Sequence, residues 1–127
     1  MHKVNTLNKG ERLKSLNRIE NIFKEGKSFL IFPFSVYYTI GSPFDNGCNQ
    51  MMVSVSKRYF KHAVDRNRVK RLTREAYRVR KSLLQNLTEK NFSVAFVYKN
   101  RQISTYAAIS AAMDTIIQKL GEILKTA

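Results

Sequence analysis

Three stretches of the chain carry the composition of strands. They are FSVYYTI (Phe34 to Ile40), MMVSVS (Met51 to Ser56) and NFSVAFVYK (Asn91 to Lys99). β-Branched and aromatic residues dominate each, and turn-forming residues bound them. GSPFDNG, from Gly41, supplies turn chemistry after the first, so the first two are expected to pair as a hairpin with a long loop. SFLIF, ahead of Pro33, offers a further short strand. NFSVAFVYK is almost wholly apolar, which predicts burial on both faces.

Elsewhere the apolar period is that of a helix. In ERLKSLNRIENIFKEGKSF (Glu11 to Phe29), Ile19, Ile22 and Phe23 share a face. Ser15 or Asn17 can cap this helix, Glu20 stands three residues after Asn17, and Gly26 is a natural stop. From about Val64 to Leu84, Val69, Leu72, Ala76, Val79 and Leu83 form an inward stripe, with Asp65 as N-cap. Ser104 to Lys125 closes the chain as a helix with Ala108, Ala112, Ile116, Ile117, Leu120 and Leu124 facing inward. The order helix, strands, helix, strand, helix predicts an α+β two-layer sandwich, a sheet of about four strands with helices packed on one side. Residues 1–10 are polar and read as a mobile arm, and 11–127 as a single domain.

Charge then narrows the function. Lys and Arg outnumber Asp and Glu 23 to 9, for a net charge of +14. Such an excess opposes compaction and points to nucleic acid, an anionic membrane or an acidic protein. The longest uncharged run, Ser28 to Phe44, holds two prolines and a glycine and falls short of the ~20 apolar residues a spanning helix needs. The N-terminus has no apolar signal core, and Cys48 is the single cysteine, so the chain reads as cytoplasmic, without a membrane role. One Cys and two His, His2 and His62, make no zinc site, and the scattered glycines make no phosphate loop. Neither catalytic nor metal-binding residues are expected in the polypeptide.

DRNRVKRLTREAYRVRK, Asp65 to Lys81, sets eight basic residues against two acids. A merely solvated helix alternates charge at i,i+4. Here Arg66, Lys70, Arg74 and Arg78 repeat at that spacing with like charge, beside Arg71 and Lys81. Arginine's planar fork suits phosphate, and each cation can replace a counterion on a phosphate polymer. Lys57, Arg58 and Lys61 extend the stretch upstream. A helix-turn-helix needs a second helix close by, whereas predicted strands flank this one, so DNA specificity is not expected. Tyr37 and Tyr38 must face opposite sides of their strand, which frees one ring to stack on an unpaired base.

SVSKRYFKHAVDRNRVKRLTREAYR resembles the signature of the bacterial ribonuclease P protein family. The likeness rests on Ser54, Ser56, Lys57 and Arg58, then on Ala63, Val64, Arg66, Asn67, Arg68, Lys70, Arg71, Arg74 and Glu75. Arg12 to Phe29 and FSVYY are similar to the family's N-terminal half. The resemblance implies a left-handed crossover from the third strand into a parallel fourth. It implies a large catalytic RNA as partner, which removes the 5′ leader of precursor tRNA with Mg2+ ions held in the holoenzyme. It implies RNA binding by Lys57, Arg58, Lys61, Arg66, Asn67, Arg68, Lys70, Arg71, Arg74 and Arg78. A cleft for the single-stranded leader would include Ile19, Phe23 and Tyr37, with Lys57 and Arg58 at the strand end. Ile19 stands where the family commonly has an aromatic residue, and Phe32 and Pro33 where it often has an arginine. The alternative is a general RNA-binding or ribosome-associated module without a processing role.

Overall fold

The computed structural model of the chain describes residues 16–41, 49–85, 87 and 90–126. The expected arm, the Ser15 cap and Cys48 lie outside these residues. Helix α1 spans Leu16–Glu25, and strands β1 (Lys27–Ile31), β2 (Phe34–Ile40) and β3 (Gln50–Val55) follow. Then come α2 (Ala63–Arg78), a 3-10 helix (Lys81–Leu84), β4 (Phe92–Tyr98) and α3 (Tyr106–Lys125). The α+β reading holds.

The four strands form one sheet in the order β1-β2-β4-β3. β2 is antiparallel to β1 and β4, while β3 runs parallel to β4 and is joined to it through α2. The expected β2–β3 hairpin is therefore wrong, because β4 lies between the two. Alternation specifies which face a side chain takes, not which strand is its neighbour. β4 is the strand with apolar residues on both faces, and such a strand gains most at the centre.

The period of two sorts the sheet cleanly. Phe34 and Val36 of β2, Met51 and Val53 of β3, and Val94, Phe96 and Tyr98 of β4 are buried on one face. There they meet Val69, Ala76 and Tyr77 of α2 and Ile109, Met113, Ile116 and Leu120 of α3. Phe96 is ringed by Phe34 at 6.0 Å and Tyr77 at 5.6 Å. Each large side chain of this layer contributes roughly 1.5–3 kcal/mol of burial. The opposite face presents Tyr37, Ala95 and Met52, and α1 covers it with Ile19 and Ile22. Helices thus lie on both faces, not on one. Gly26 ends α1 as expected, since a Cβ there would stand 2.1 Å from the Ile22 carbonyl oxygen and 2.9 Å from that of Tyr38.

The second helix stops at Arg78, short of the predicted Leu84. The 3-10 turns that follow change the phase, so Val79 and Leu83 point outward while Tyr77 and Leu84 are buried in their stead. Thr73 also joins the core, its hydroxyl donating to the Val69 carbonyl at 2.8 Å. The N-cap is His62 rather than Asp65, whose carboxylate sits in the first turn and still favours the positive helix end. In α3 the cap is Thr105, whose Oγ1 accepts from the Ala108 amide at 3.1 Å. That places Ala108 on the exposed side of the first turn and gives its inward place to Ile109.

Candidate nucleic-acid interface

Burial of Val69, Thr73 and Ala76 fixes the inward line of α2. At ~100° per residue, the line directly opposite runs through Asn67, Arg71, Arg74 and Arg78, spaced 4, 3 and 4. Asn67, Arg68 and Arg71 are exposed, and Lys70, Arg74 and Arg78 half-buried. The i,i+4 series that begins at Arg66 drifts around the helix, and Arg66 itself lies toward the protein. Its Nη1 donates to the carbonyls of Phe60 at 2.8 Å and Lys61 at 3.0 Å, bracing the loop before the helix.

Past the helix end, Arg80 is also turned inward. Its Nε donates to Asp114 Oδ1 at 2.6 Å, its Nη1 to the Ala76 carbonyl at 2.9 Å, and its Nη2 to the Ser110 hydroxyl. The Asp114 carboxylate raises the Arg80 pKa above its ordinary value. Arg78 grips Glu75, with Nη2 2.6 Å from Oε1 and Nε 3.0 Å from Oε2. That bidentate bond holds the Glu75 carboxyl below its usual value and raises the Arg78 pKa. Among the described residues, Arg68, Lys70 and Arg71 have no carboxylate within ion-pair distance.

Lys57, Arg58 and Lys61 are exposed in the loop that leaves β3. Ser56 tightens this loop: its carbonyl accepts from the Tyr59 and Phe60 amides at 3.2 Å, and its hydroxyl accepts from the Arg58 amide at 3.0 Å. Phe60 is buried against Tyr98, which anchors the loop to the core.

On the other face of the sheet, Phe23 and Tyr37 meet edge to face, with ring centroids 4.9 Å apart at 67°. Phe23 is 40% exposed, while Tyr37 and Ile19 are half-buried. The three expected cleft residues are thus together between α1 and the sheet, and Met52 of β3 joins them. Lys57 and Arg58 stand apart from them, beyond the end of β3. Sequence reasoning missed Met52, Lys99 and Arg101. The Arg101 guanidinium lies 5.6 Å over the Tyr59 ring, a pairing across forty-two residues that no local signal announces. Among the described residues, no three His, Cys, Asp or Glu side chains come together as a metal site.

A half-open face on one side of the sheet and, on the other, a helix with exposed cations along its outer line define a small basic α+β protein. The family model described as Ribonuclease P matches residues 7–121, and the chain belongs to that family, the protein component of a ribonucleoprotein endoribonuclease. The ribonuclease P protein component of Porphyromonas gingivalis is 37% identical over 125 residues, covering 95% of this chain and 91% of the relative. That of Chlorobium phaeobacteroides is 38% identical over 89 residues, 68% of this chain and 61% of the relative. In fold, the chain is similar to the RNase P protein of Staphylococcus aureus, with TM-score 0.67 at 24% identity over 87% of this chain and 94% of that one. It is likewise similar to the RNase P protein of Thermotoga maritima, with TM-score 0.57 at 26% identity over 92% and 97%.

Proposed function

We propose that the chain binds the catalytic RNA of ribonuclease P through the outer surface of α2. The cleft between α1 and the open sheet face holds the single-stranded 5′ leader of precursor tRNA and so promotes its removal. The carrying observation is the division of surfaces on one body. Among the described residues, Arg68, Lys70 and Arg71 of α2 have no carboxylate partner, while the Phe23–Tyr37 pair stands half-open on the far side of the sheet.

Each surface suits a different kind of RNA. An array of arginines and lysines along a rigid helix replaces counterions on a phosphate backbone and needs no base readout. Asn67, exposed on the same line, has its amide available to that RNA. Half-exposed aromatic rings instead offer a stacking platform, which only unpaired bases can use. Lys57, Arg58 and Lys61, at the end of β3, bridge the two by charge. In this reading hydrolysis belongs to the RNA, which holds the Mg2+ ions, and the chain supplies positioning and charge neutralisation. No described helix is long and apolar enough to cross a membrane.

The test is leader cleavage from precursor tRNA by a bacterial ribonuclease P RNA at low Mg2+, with and without the protein. Strong stimulation is expected, and it should be lost with the Lys70/Arg71/Arg74 triple alanine variant. Tight RNA binding without stimulation would overturn the processing role and leave a general RNA-binding module.

A further inference from the structure

The outward line of α2 ends at Arg78, and the first turn of α3 brings an aromatic side chain to that end. Arg80 ties the two helices together. Its Nη1 donates to the Ala76 carbonyl, its Nε to Asp114 Oδ1 and its Nη2 to the Ser110 hydroxyl. Residues four apart on a helix share a face, so Tyr106, Ser110 and Asp114 form one stripe of α3, the stripe turned to the end of α2. Asp114 and, after it, Tyr106 raise the Arg80 pKa, while Glu75 and, after it, Tyr106 raise that of Arg78. The phenol thus lies by both guanidiniums.

Bracing Arg80 does not use up the ring. Tyr106 is 38% exposed. Its exposed neighbours on the helix, Ala107, Ala108 and Ala111, are too short to cover it. An aromatic side chain adds most to a fold when buried, and an open one keeps its π surface for a partner.

The surroundings select that partner. Arg71, Arg74 and Arg78 lead up to the ring along α2, and no acid stands in the first turn of α3 to repel a phosphate. The nearby carboxylates, Glu75 and Asp114, are engaged by Arg78 and Arg80. An open ring at the end of a row of cations is suited to an unpaired base, which stacks while the cations hold the backbone. The Phe23–Tyr37 cleft lies on the opposite face of the sheet, so a base at Tyr106 belongs to the RNA on α2 and not to the leader.

We propose that Tyr106 is a stacking platform for one unpaired base of the catalytic RNA, where that RNA passes the end of α2. Tyr106 has this role only if α2 takes the catalytic RNA. It adds to the basic surface an uncharged contact and marks the end at which the bound RNA has an unpaired nucleotide.

A salt series separates stacking from charge. Filter binding of a bacterial ribonuclease P RNA, folded in Mg2+, is measured with wild type, Tyr106→Phe, Tyr106→Leu and Tyr106→Ala, at a temperature well below the thermal midpoint of every variant. Phe keeps the ring and loses the hydroxyl beside Arg80, so it should bind within about two-fold of wild type. Leu keeps apolar bulk without a π face. Leu and Ala should each bind roughly ten-fold more weakly, with the wild-type salt slope, because no cation has been removed. A loss in the Phe variant as large as in Ala would assign the effect to the hydroxyl and Arg80 and overturn the stacking role. Leu or Ala binding as tightly as wild type would overturn it too. Arg68→Ala/Lys70→Ala/Arg71→Ala, measured alongside, should flatten the slope. An unchanged slope there would overturn the reading of α2 and the role of Tyr106 together, whereas a flattened slope beside silent Tyr106 variants would remove Tyr106 alone.

Discussion

The two ends of the basic stretch and its middle are built from the same residue type and treated differently by the fold. Arg66 and Arg80 turn back onto carbonyls and a carboxylate, where they hold the entrance of α2 and the segment after it. Arg68 and Arg71 face solvent without a carboxylate partner among the described residues. The difference is set by helical phase against Val69, Thr73 and Ala76 and by which backbone acceptors lie within reach of each side chain. Charge density read along the chain therefore overstates the charge that is free for a polyanion.

The strongest way to break this contrast is to empty the middle. Arg68→Ala/Lys70→Ala/Arg71→Ala should lower affinity for the catalytic RNA roughly hundred-fold at low salt and make the salt dependence shallower by about two to three phosphate contacts. Its unfolding free energy should stay within about 0.5 kcal/mol of wild type, because surface cations with no carboxylate partner among the described residues contribute little to the fold. Filter binding across a salt series, with urea unfolding alongside, checks both halves. An unchanged salt slope would mean that the open middle is not the RNA surface.

Arg80→Ala should give the converse result. It removes a charge-assisted bond from a side chain only 15% exposed and leaves the Asp114 carboxylate without that partner. A loss of about 2 kcal/mol is expected, a fall of roughly 8 °C in Tm. Below the transition, RNA affinity should hold within about two-fold. Arg66→Ala should fall between the two. Two carbonyl acceptors lose their donor, costing about 1 kcal/mol, and the loosened loop carries Lys57, Arg58 and Lys61 out of register, costing RNA affinity about five-fold. Hydrogen exchange at the Tyr59 and Phe60 amides would show the loop opening; exchange as slow as in wild type would place the RNA loss on Arg66 itself.

These contrasts also mark what was legible in the sequence. FSVYYTI became β2 without adjustment, because a short run of β-branched and aromatic residues between turn residues has one local solution. The basic helix and the Phe23–Tyr37 meeting were legible through the resemblance and the helical period. The neighbour of β2 was not, since β4 is drawn to the centre by burial on both faces, a property of the whole sheet. Val79 and Leu83 continued the helical spacing on paper, yet the helix ends at Arg78 and a 3-10 turn rotates them outward. Arg66 and Arg101 show the same limit at the candidate site. The sequence sets Arg66 among the RNA-binding cations, yet its guanidinium braces a loop, and nothing local to Arg101 marks the Tyr59 ring beneath it.

The finest distinction concerns Arg78, which belongs to the outward line but shares its charge with Glu75. The hydrogen bonds from Arg78 hold the Glu75 carboxyl below its ordinary value of 4.5, against a small opposing effect of burial. A depressed carboxylate contributes stability that is present above its unfolded pKa and lost as pH falls through the lower, folded value. The contribution is small, because both side chains are substantially exposed, at 34% and 48%. The urea midpoint of wild type should therefore sit slightly above that of Glu75→Gln at neutral pH, and the two should converge as pH falls through the lowered Glu75 value. RNA binding at neutral pH should move the other way: the variant takes the Glu75 charge away from Arg78 and binds less than about two-fold tighter. Weaker binding by Glu75→Gln would mean that Glu75 orients Arg78 for the RNA instead of diverting it, and Arg78 would then join Arg68 and Arg71 in the open middle.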